Sequence, residues 1–192
     1  MRFYVMRAYK ADFIIVRGIV DSFLKDETIR SKLAYISDKK TNDWEKWLQI
    51  ELEYFMKNKH QLIVLRETAA IPDKRILKNR YKMYVDIIFR KKRTRINSYI
   101  FLELKCTKRV SALLKGIEMD INKVNSIRTT EYDQRSFWCI GFHHACDTKS
   151  IDKINNFRIK YDFFHHEIIE LCNCGDVHLA NCKKKQIGLL IV

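Results

Sequence analysis

The sequence predicts one mixed α/β domain over residues 1–192. Some segments have apolar residues every three or four positions, as in helices. Others are alternating or continuously apolar, as in strands. With 47% hydrophobic residues and a single proline, the chain is apolar enough to bury a core and does not have a disordered composition. No internal repeat and no linker rich in Pro, Gly or Ser divides it.

The predicted order is helix, helix, three strands, helix and further strands. The helices carry an apolar stripe and cover 11–32, 44–57 and 111–128. The strands are rich in β-branched and aromatic residues and cover 62–67, 82–89, 98–106 and 136–142, with two or three more within 161–192. Asn42 or Asp43 is the expected N-cap of the second helix. A loop is expected at Pro72 and a very basic turn at 90–97.

The chain is strongly basic, with 37 Lys and Arg against 23 Asp and Glu and a formal net charge of +14. In a folded domain this balance favours a polyanionic partner, either nucleic acid or an anionic membrane surface. No apolar run approaches the ~18 residues that span a bilayer, and the first residues lack the pattern of a secretory signal. We therefore expect a cytoplasmic protein with reduced cysteines, a nucleic-acid partner and no membrane.

The strand at 98–106 carries the first candidate functional residues. Side chains alternate between the faces of a strand, so Tyr99, Phe101, Glu103 and Lys105 share one face. The other face is apolar, so we expect burial on both sides, with Glu103 and Lys105 adjacent at one end. The alternative is a cross-strand ion pair on a solvated surface, and the two aromatic residues argue against it.

Two further carboxylates lie among apolar residues. Asp86 is in the middle of the strand at 82–89, and an isolated buried carboxylate is costly unless it is paired or binds a metal. Glu51 lies on the apolar stripe of the second helix, whereas Glu53 lies on its solvated face. If the basic turn joins the two strands as a hairpin, Asp86 and Glu103 converge at one end of the sheet.

Asp86, Glu103 and Glu51 would form an oxygen-rich site for Mg²⁺, with Mn²⁺ as the alternative ion. Such an ion binds a phosphate oxygen, activates a water and stabilises a leaving oxyanion. Lys105 would place a positive charge beside the attacking water or the transition-state phosphate. The alternative for Glu51 is a glutamate at the edge of the stripe that reaches solvent.

An aspartate at position 86, followed after 17 positions by Glu-Leu-Lys at 103–105, resembles the PD-(D/E)xK nuclease superfamily over roughly residues 43–142. The resemblance implies a restriction-endonuclease-like core of a helix, three strands, a helix and a strand, here with an N-terminal helix and C-terminal strands. It implies Asp86 and Glu103 as metal ligands, Lys105 as the catalytic lysine and Glu51 as the helical glutamate. Val85 stands where the family motif has proline. The implied activity is Mg²⁺-dependent hydrolysis of DNA phosphodiester bonds by an endonuclease.

Basic residues in the turn and near the third helix are candidates for contact with nucleic-acid phosphates. They are Arg90, Lys91, Lys92, Arg93, Lys108, Arg109 and Lys115. For the turn at 90–97, a solvated hairpin is an equally good interpretation. Lys123 is expected to form a local helical ion pair with Asp120.

Cysteine and histidine residues give a weaker signal. Cys172, Cys174, His178 and Cys182 could together bind Zn²⁺, but their spacing is not that of a common zinc module. We expect buried reduced cysteines instead. The pairs at 143–144 and 165–166 are expected to be histidines at strand ends or on the surface rather than ligands.

Two functions other than DNA cleavage stay open from the sequence. One is a non-catalytic nucleic-acid-binding protein on the same fold, and the other is an RNA-cleaving nuclease. The intact set of Asp86, Glu103 and Lys105 favours an enzyme, since a binding module does not need all three. A homodimer is compatible with the sequence, and the fold alone decides neither substrate specificity nor biological role.

Overall fold

The computed structural model describes residues 2–41, 44–76, 81–144, 147–171 and 185–192. As the sequence predicts, it has a mixed α/β architecture. The helices are α1 (Arg2–Lys25), α2 (Glu27–Lys39), α3 (Glu45–Asn58), α4 (Val110–Asn125) and α5 (Thr148–Arg158). The strands are β1 (Ile63–Pro72), β2 (Met83–Arg90), β3 (Ser98–Thr107), β4 (Ile127–Thr130), β5 (Asp133–His144), β6 (His165–Glu170) and β7 (Gln186–Ile191).

These strands form an open, mostly antiparallel sheet in the order β4-β1-β2-β3-β5-β7-β6. The basic turn joins β2 and β3 as an antiparallel hairpin, as expected. β3 and β5 run parallel, and the chain between them passes through α4 and β4. Such a crossover is needed because a short turn cannot connect parallel strands.

Helices pack on both faces of the sheet, and β3 lies in its middle. α1, α2 and α3 cover one face, where Ile100, Leu102 and Leu104 point from β3 into the main apolar core. α4 and α5 cover the other face, which includes Cys139 of β5 and Leu190 of β7. The predicted burial of β3 on both sides is confirmed, since residues 99–104 are all buried.

The prediction of one helix over 11–32 is wrong, because two helices meet at Asp26. Its side chain accepts hydrogen bonds from the backbone N–H groups of Thr28 and Ile29 and so caps the start of α2. The apolar residues keep their helical spacing across Asp26, so the sequence pattern did not indicate a break there. In the part of the chain that the structure describes, no helix is both long and apolar enough to cross a membrane.

Two elements near the third predicted helix also differ from expectation. α4 ends at Asn125, and the following residues form the short edge strand β4, which pairs with β1. The helix α5 was not predicted, because Ile154 and Phe157 are the only buried residues among its 11. The expected N-cap at Asn42 or Asp43 lies outside the described residues.

The residue before the last of β5, His143, is a completely buried histidine. His143 stacks on His166 of β6, with ring centroids 5.4 Å apart, and its Nδ1 lies 2.7 Å from the carbonyl oxygen of His144. Of the two expected positions, His143 therefore has the one at a strand end and not the one on the surface. Gly188 of β7 is its partner in the sheet, and a Cβ atom at 188 would lie 2.0 Å from the imidazole. Glycine is required there because the ring occupies that space.

Candidate active site

β2 and β3 separate part of the way along their hairpin. Their pairing runs from Phe89–Ile100 to Ile87–Leu102 and stops there. The corresponding pair between β1 and β2 is also missing at Asp86, where Glu67 of β1 has a φ of 52°. We call the gap beyond Ile87 and Leu102 the fork.

Two carboxylates occupy the edge of β3 that the fork exposes. Asp86 Oδ2 accepts a hydrogen bond from the backbone N–H of Leu104 at 2.8 Å. Glu45 Oε2, from the first residue of α3, accepts one from the N–H of Cys106 at 3.1 Å. Residues two apart on a strand direct their N–H groups to the same edge, so these carboxylates replace the strand partner that β2 no longer provides.

Glu103 lies beside the fork on the α4 face of β3 and is 2% exposed. Lys123 of α4 donates to both of its carboxylate oxygens, at 2.7 and 2.8 Å. Burial is the main reason that the pKa of Glu103 rises to about 8, and the charge of Asp86 raises it further, while Lys123 opposes the shift. This carboxyl group therefore exchanges its proton near neutral pH, and its contact with Lys123 is an ion pair when it is ionised.

Lys105 lies between two more carboxylates. Its Nζ is 3.5 Å from Oε2 of Glu45 and 3.5 Å from Oδ2 of Asp120. Burial disfavours its charge, but Asp120, Glu45 and Asp86 outweigh burial, and the net effect is a raised pKa. Lys105 is therefore an ammonium ion at neutral pH. We call Glu45, Asp86, Glu103, Asp120, Lys105 and Lys123 the charged cluster.

The two helical carboxylates of the charged cluster are partly buried. Burial raises the pKa of both Glu45 and Asp120, Lys105 counteracts this, and Asp86 adds to it. Oδ2 of Asp120 is inaccessible to solvent and has no well-aligned hydrogen-bond partner among the described residues. This oxygen therefore has an ion-pair contact with Lys105 but no well-aligned hydrogen bond.

α4 also provides the space that Lys105 needs. At Gly116, a Cβ atom would lie 3.1 Å from Cδ and 3.2 Å from Cγ of Lys105. Such contacts are tighter than ordinary packing, so the glycine lets the lysine stem pass along the helix. A glycine inside a helix costs about 1 kcal/mol relative to alanine, and at this position it allows Lys105 to extend toward Asp120.

The structure brings Asp86, Glu103 and Lys105 together but does not bring Glu51 to them. Glu51 accepts a hydrogen bond from Trp47 Nε1 at 3.2 Å and pairs with Lys32 of α2. This side of α3 faces α2, whereas the first turn of the helix reaches β3. Glu45 therefore occupies the place that the sequence assigned to Glu51. No sequence pattern distinguished Glu45, because an acidic residue in a first turn commonly complements the helix dipole.

The local ion pair that was expected between Lys123 and Asp120 is not formed, and Lys123 has a different partner. Lys123 reaches across to Glu103 instead, and Lys105 lies near Asp120. The buried Glu103 is the stronger attraction, because its carboxylate is almost completely removed from water. Helical spacing indicated the local pair, but the sheet provides the actual partner.

The predicted phosphate-binding residues fall into two groups. The turn with Lys91, Lys92 and Arg93 is exposed at the closed end of the hairpin, five residues from Glu103 along β3, or about 17 Å. Arg90 is half-buried, with its guanidinium over the ring of Tyr99 at 5.6 Å. The exposed residues Lys108 and Arg109 follow β3 directly at the fork end, and Lys115 is exposed on α4.

The charged cluster has the oxygen donors that Mg²⁺ and Mn²⁺ prefer, including Oδ2 of Asp120, which has no well-aligned hydrogen bond among the described residues. Its carboxylates are not gathered around a single point, however. In the described residues, one set of three metal-ligating atoms lies within 4.8 Å of one another, and it consists of Asp21, His165 and Glu167. That set joins α1 to β6 and does not include the charged cluster.

Four residues considered from the sequence as zinc ligands or as reduced cysteines lie outside the described residues, namely Cys172, Cys174, His178 and Cys182. The described thiols Cys106 and Cys139 are unpaired and buried. Burial is the main cause that raises the pKa of both well above its usual value. They are therefore neutral packing groups rather than nucleophiles or metal ligands.

Comparison of the chain with protein-family models, with curated proteins and with solved structures gives no match. The functional argument therefore depends on the geometry and electrostatics of the charged cluster.

Proposed function

We propose that the protein is a nuclease that uses Mg²⁺ or Mn²⁺ to hydrolyse DNA phosphodiester bonds. The observation that carries this proposal is the meeting at the fork of Asp86 with Glu103 and Lys105, which lie 17 and 19 positions later in the sequence. Burying several like charges side by side destabilises a fold. Such an arrangement is typical of a site that binds a cation or an anionic transition state.

The architecture around the fork supports the same proposal. α3, β1, β2, β3, α4 and β5 follow one another in the order helix, three strands, helix and strand, with the short β4 inserted before β5. This is the order of a restriction-endonuclease-like core, which we propose for this part of the chain. In that core the acidic residues and the lysine are expected on the second and third strands, where Asp86, Glu103 and Lys105 lie.

Asp86 and Glu103 would hold the metal ion, and Glu45 and Asp120 would hold its water ligands or Lys105 in place. A bound divalent ion would supply positive charge to the phosphate and lower the pKa of a water. Asp86 is suited to this role because its Oδ2 is fixed by the backbone of Leu104. A ligand whose orientation is set by a backbone hydrogen bond requires little rearrangement on binding.

Lys105 would act on the reacting phosphate rather than on the metal. Because its pKa is raised, it remains an ammonium ion and is unsuited to be a general base at neutral pH. It can donate hydrogen bonds to the attacking water and to the phosphate oxygens as their negative charge increases. One such preorganised charge contributes about 10²–10³ in rate.

The charge of the chain supports a nucleic-acid substrate. Its formal net charge is +14, although the charged cluster is acidic. Lys108 and Arg109 are exposed directly after β3, next to the fork. Basic residues around an acidic metal site allow a phosphate backbone to approach the carboxylates that would otherwise repel it.

The test is cleavage of matched DNA and RNA, single- and double-stranded, by the full chain with Mg²⁺ or Mn²⁺. We expect Asp86→Asn and Glu103→Gln to abolish cleavage, because each removes a metal ligand. Lys105→Met should lose about 10²–10³ in rate while it still binds Mn²⁺. Full activity of Asp86→Asn would contradict the proposal.

Two controls sharpen this test. Glu45→Gln should reduce the rate, whereas Glu51→Gln on the same helix should not, since Glu51 pairs with Lys32 instead. DNA binding by the wild-type chain without cleavage in either metal would favour the non-catalytic binding protein. Cleavage of RNA alone would favour the ribonuclease.

A further inference from the structure

Lys123 donates hydrogen bonds to Glu103, the carboxylate that would bind the proposed metal ion. Its Nζ donates to both oxygens of Glu103, at 2.7 and 2.8 Å. Glu103 is 2% exposed and the Lys123 side chain 19% exposed, so this is a largely buried ion pair. The lone pairs with which Glu103 would bind a cation are already engaged by an internal cation.

The formal charges of the cluster are those of a site that lacks a divalent ion. It contains the carboxylates of Glu45, Asp86, Glu103 and Asp120 and the ammonium groups of Lys105 and Lys123. When all are ionised, two negative charges remain without a partner, which is the charge that one divalent cation balances. The lysines also explain why no three of these carboxylates are gathered around one point, since Lys105 and Lys123 lie between them.

A second acceptor for Lys123 lies on its own helix. Asp120 precedes it by three residues on α4, a spacing at which helical side chains are neighbours. Oδ2 of Asp120 is buried and has no well-aligned hydrogen bond in the described part of the chain, although Lys105 Nζ lies 3.5 Å from it. Lys123 can therefore leave Glu103 without exposing its charge to an apolar environment.

We propose that Lys123 is a displaceable internal counter-ion, which occupies Glu103 in the metal-free protein and moves toward Asp120 when a divalent cation binds Glu103 and Asp86. This inference rests on the metal site of the proposed function. Lys123 then sets the metal affinity, because every binding event must first break its ion pair. It also keeps the buried carboxylates compensated while the metal is absent.

The test is the affinity of the full chain for Mn²⁺, measured by titration calorimetry without nucleic acid. Lys123→Met should bind Mn²⁺ at least about tenfold more tightly than the wild type, because the cation no longer has to displace Lys123 from Glu103; tenfold corresponds to about 1.4 kcal/mol. Lys123→Gln keeps an amide donor for Glu103 and should change the affinity in the same direction. It serves in place of the methionine variant if that chain does not fold.

Two comparison variants separate displacement from a general charge effect. Lys105→Met removes the same charge from the charged cluster but no described contact with Glu103, so its gain in Mn²⁺ affinity should be smaller. Lys160→Met breaks an exposed ion pair with Glu118 of α4 and should leave the affinity unchanged. Equal gains in Lys123→Met and Lys105→Met would overturn the inference, as would unchanged or weaker binding in Lys123→Met.

The cleavage assay distinguishes failure of this inference from failure of the proposed function. If Lys123→Met binds Mn²⁺ more tightly and the wild type cleaves neither DNA nor RNA, the counter-ion is supported and the nuclease is not. If the wild type cleaves DNA and the two chains bind Mn²⁺ equally, only the counter-ion is refuted. Absence of Mn²⁺ binding by all of these chains refutes the counter-ion, and cleavage then decides the function independently.

Discussion

Glu103→Gln should remove a pH-dependent destabilisation from the metal-free protein. Burial and the charge of Asp86 raise the pKa of Glu103 from 4.5 to about 8 in the folded chain. Between these two values the folded protein keeps a proton that the unfolded chain has released. The free energy of unfolding therefore falls as pH rises through this window, and the loss is complete above the folded pKa.

The size of this change in unfolding free energy follows from the single proton that Glu103 binds or releases. A difference of one bound proton changes the unfolding free energy by about 1.4 kcal/mol per pH unit. From about pH 5.5 to about pH 7.5, the wild type should lose about 2–3 kcal/mol more than Glu103→Gln. The two chains should be similarly stable at the acidic end, because glutamine and protonated glutamic acid are both neutral and similar in size. Solvent screening does little to reduce this effect, since Glu103 is 2% exposed.

The measurement is urea unfolding in a metal chelator at a series of pH values, followed by tryptophan fluorescence and circular dichroism. Burial and the nearby His143 lower the pKa of His166 to about 4, which gives an opposite slope on the acidic side. Both chains share that group, so the difference between them isolates Glu103. Glu118→Gln, which removes an exposed carboxylate of α4 and keeps Glu103, should show the same pH dependence as the wild type. Parallel curves for the wild type and Glu103→Gln would refute the assignment of a buried acid at the fork.

Two further predictions concern packing and binding. Gly188→Ala should destabilise the fold by about 1–3 kcal/mol, because its Cβ would meet the ring of His143, whereas Gly18→Ala in open space on α1 should stabilise it by up to about 1 kcal/mol. Equal melting temperatures for the two variants would contradict this packing argument. The other prediction neutralises the basic turn at Arg90, Lys91, Lys92 and Arg93. The log–log salt slope of DNA binding should decrease by about 0.9 for each phosphate that the turn no longer neutralises, and an unchanged slope would exclude the turn from the interface.

The sequence predicted the two central strands and their alternation, because buried strands leave a strong period-two pattern. Asp86, Glu103 and Lys105 could be selected for the same reason, since charged residues stand out among apolar neighbours. Asp26 could not be recognised as a helix break from that pattern, because the apolar stripe of α1 continues into α2. α5 was missed since only two of its side chains are buried.

The residues that α3 and α4 contribute to the site could not be identified from the sequence, because tertiary contacts decide which of them reach β3. Glu45 and Glu51 are both acidic residues of α3, and only the position of the helix over the sheet decides which one reaches β3. Lys123 and Asp120 have the spacing of a local ion pair, yet the buried carboxylate of Glu103 attracts Lys123 more strongly. Sequence periodicity reports which face of an element is buried, but it does not report what lies opposite that face.

The backbone N–H groups of Leu104 and Cys106 are held by side chains instead of by a neighbouring strand. Amide hydrogen exchange at these two positions therefore depends on two carboxylates as well as on unfolding of the sheet. A ligand that draws Asp86 or Glu45 away would speed exchange at one residue and leave the rest of β3 protected. A ligand that uses only the other oxygen of Asp86 would leave the Leu104 amide slow. These amides thus provide an internal probe of how the site is occupied, without any substrate or label.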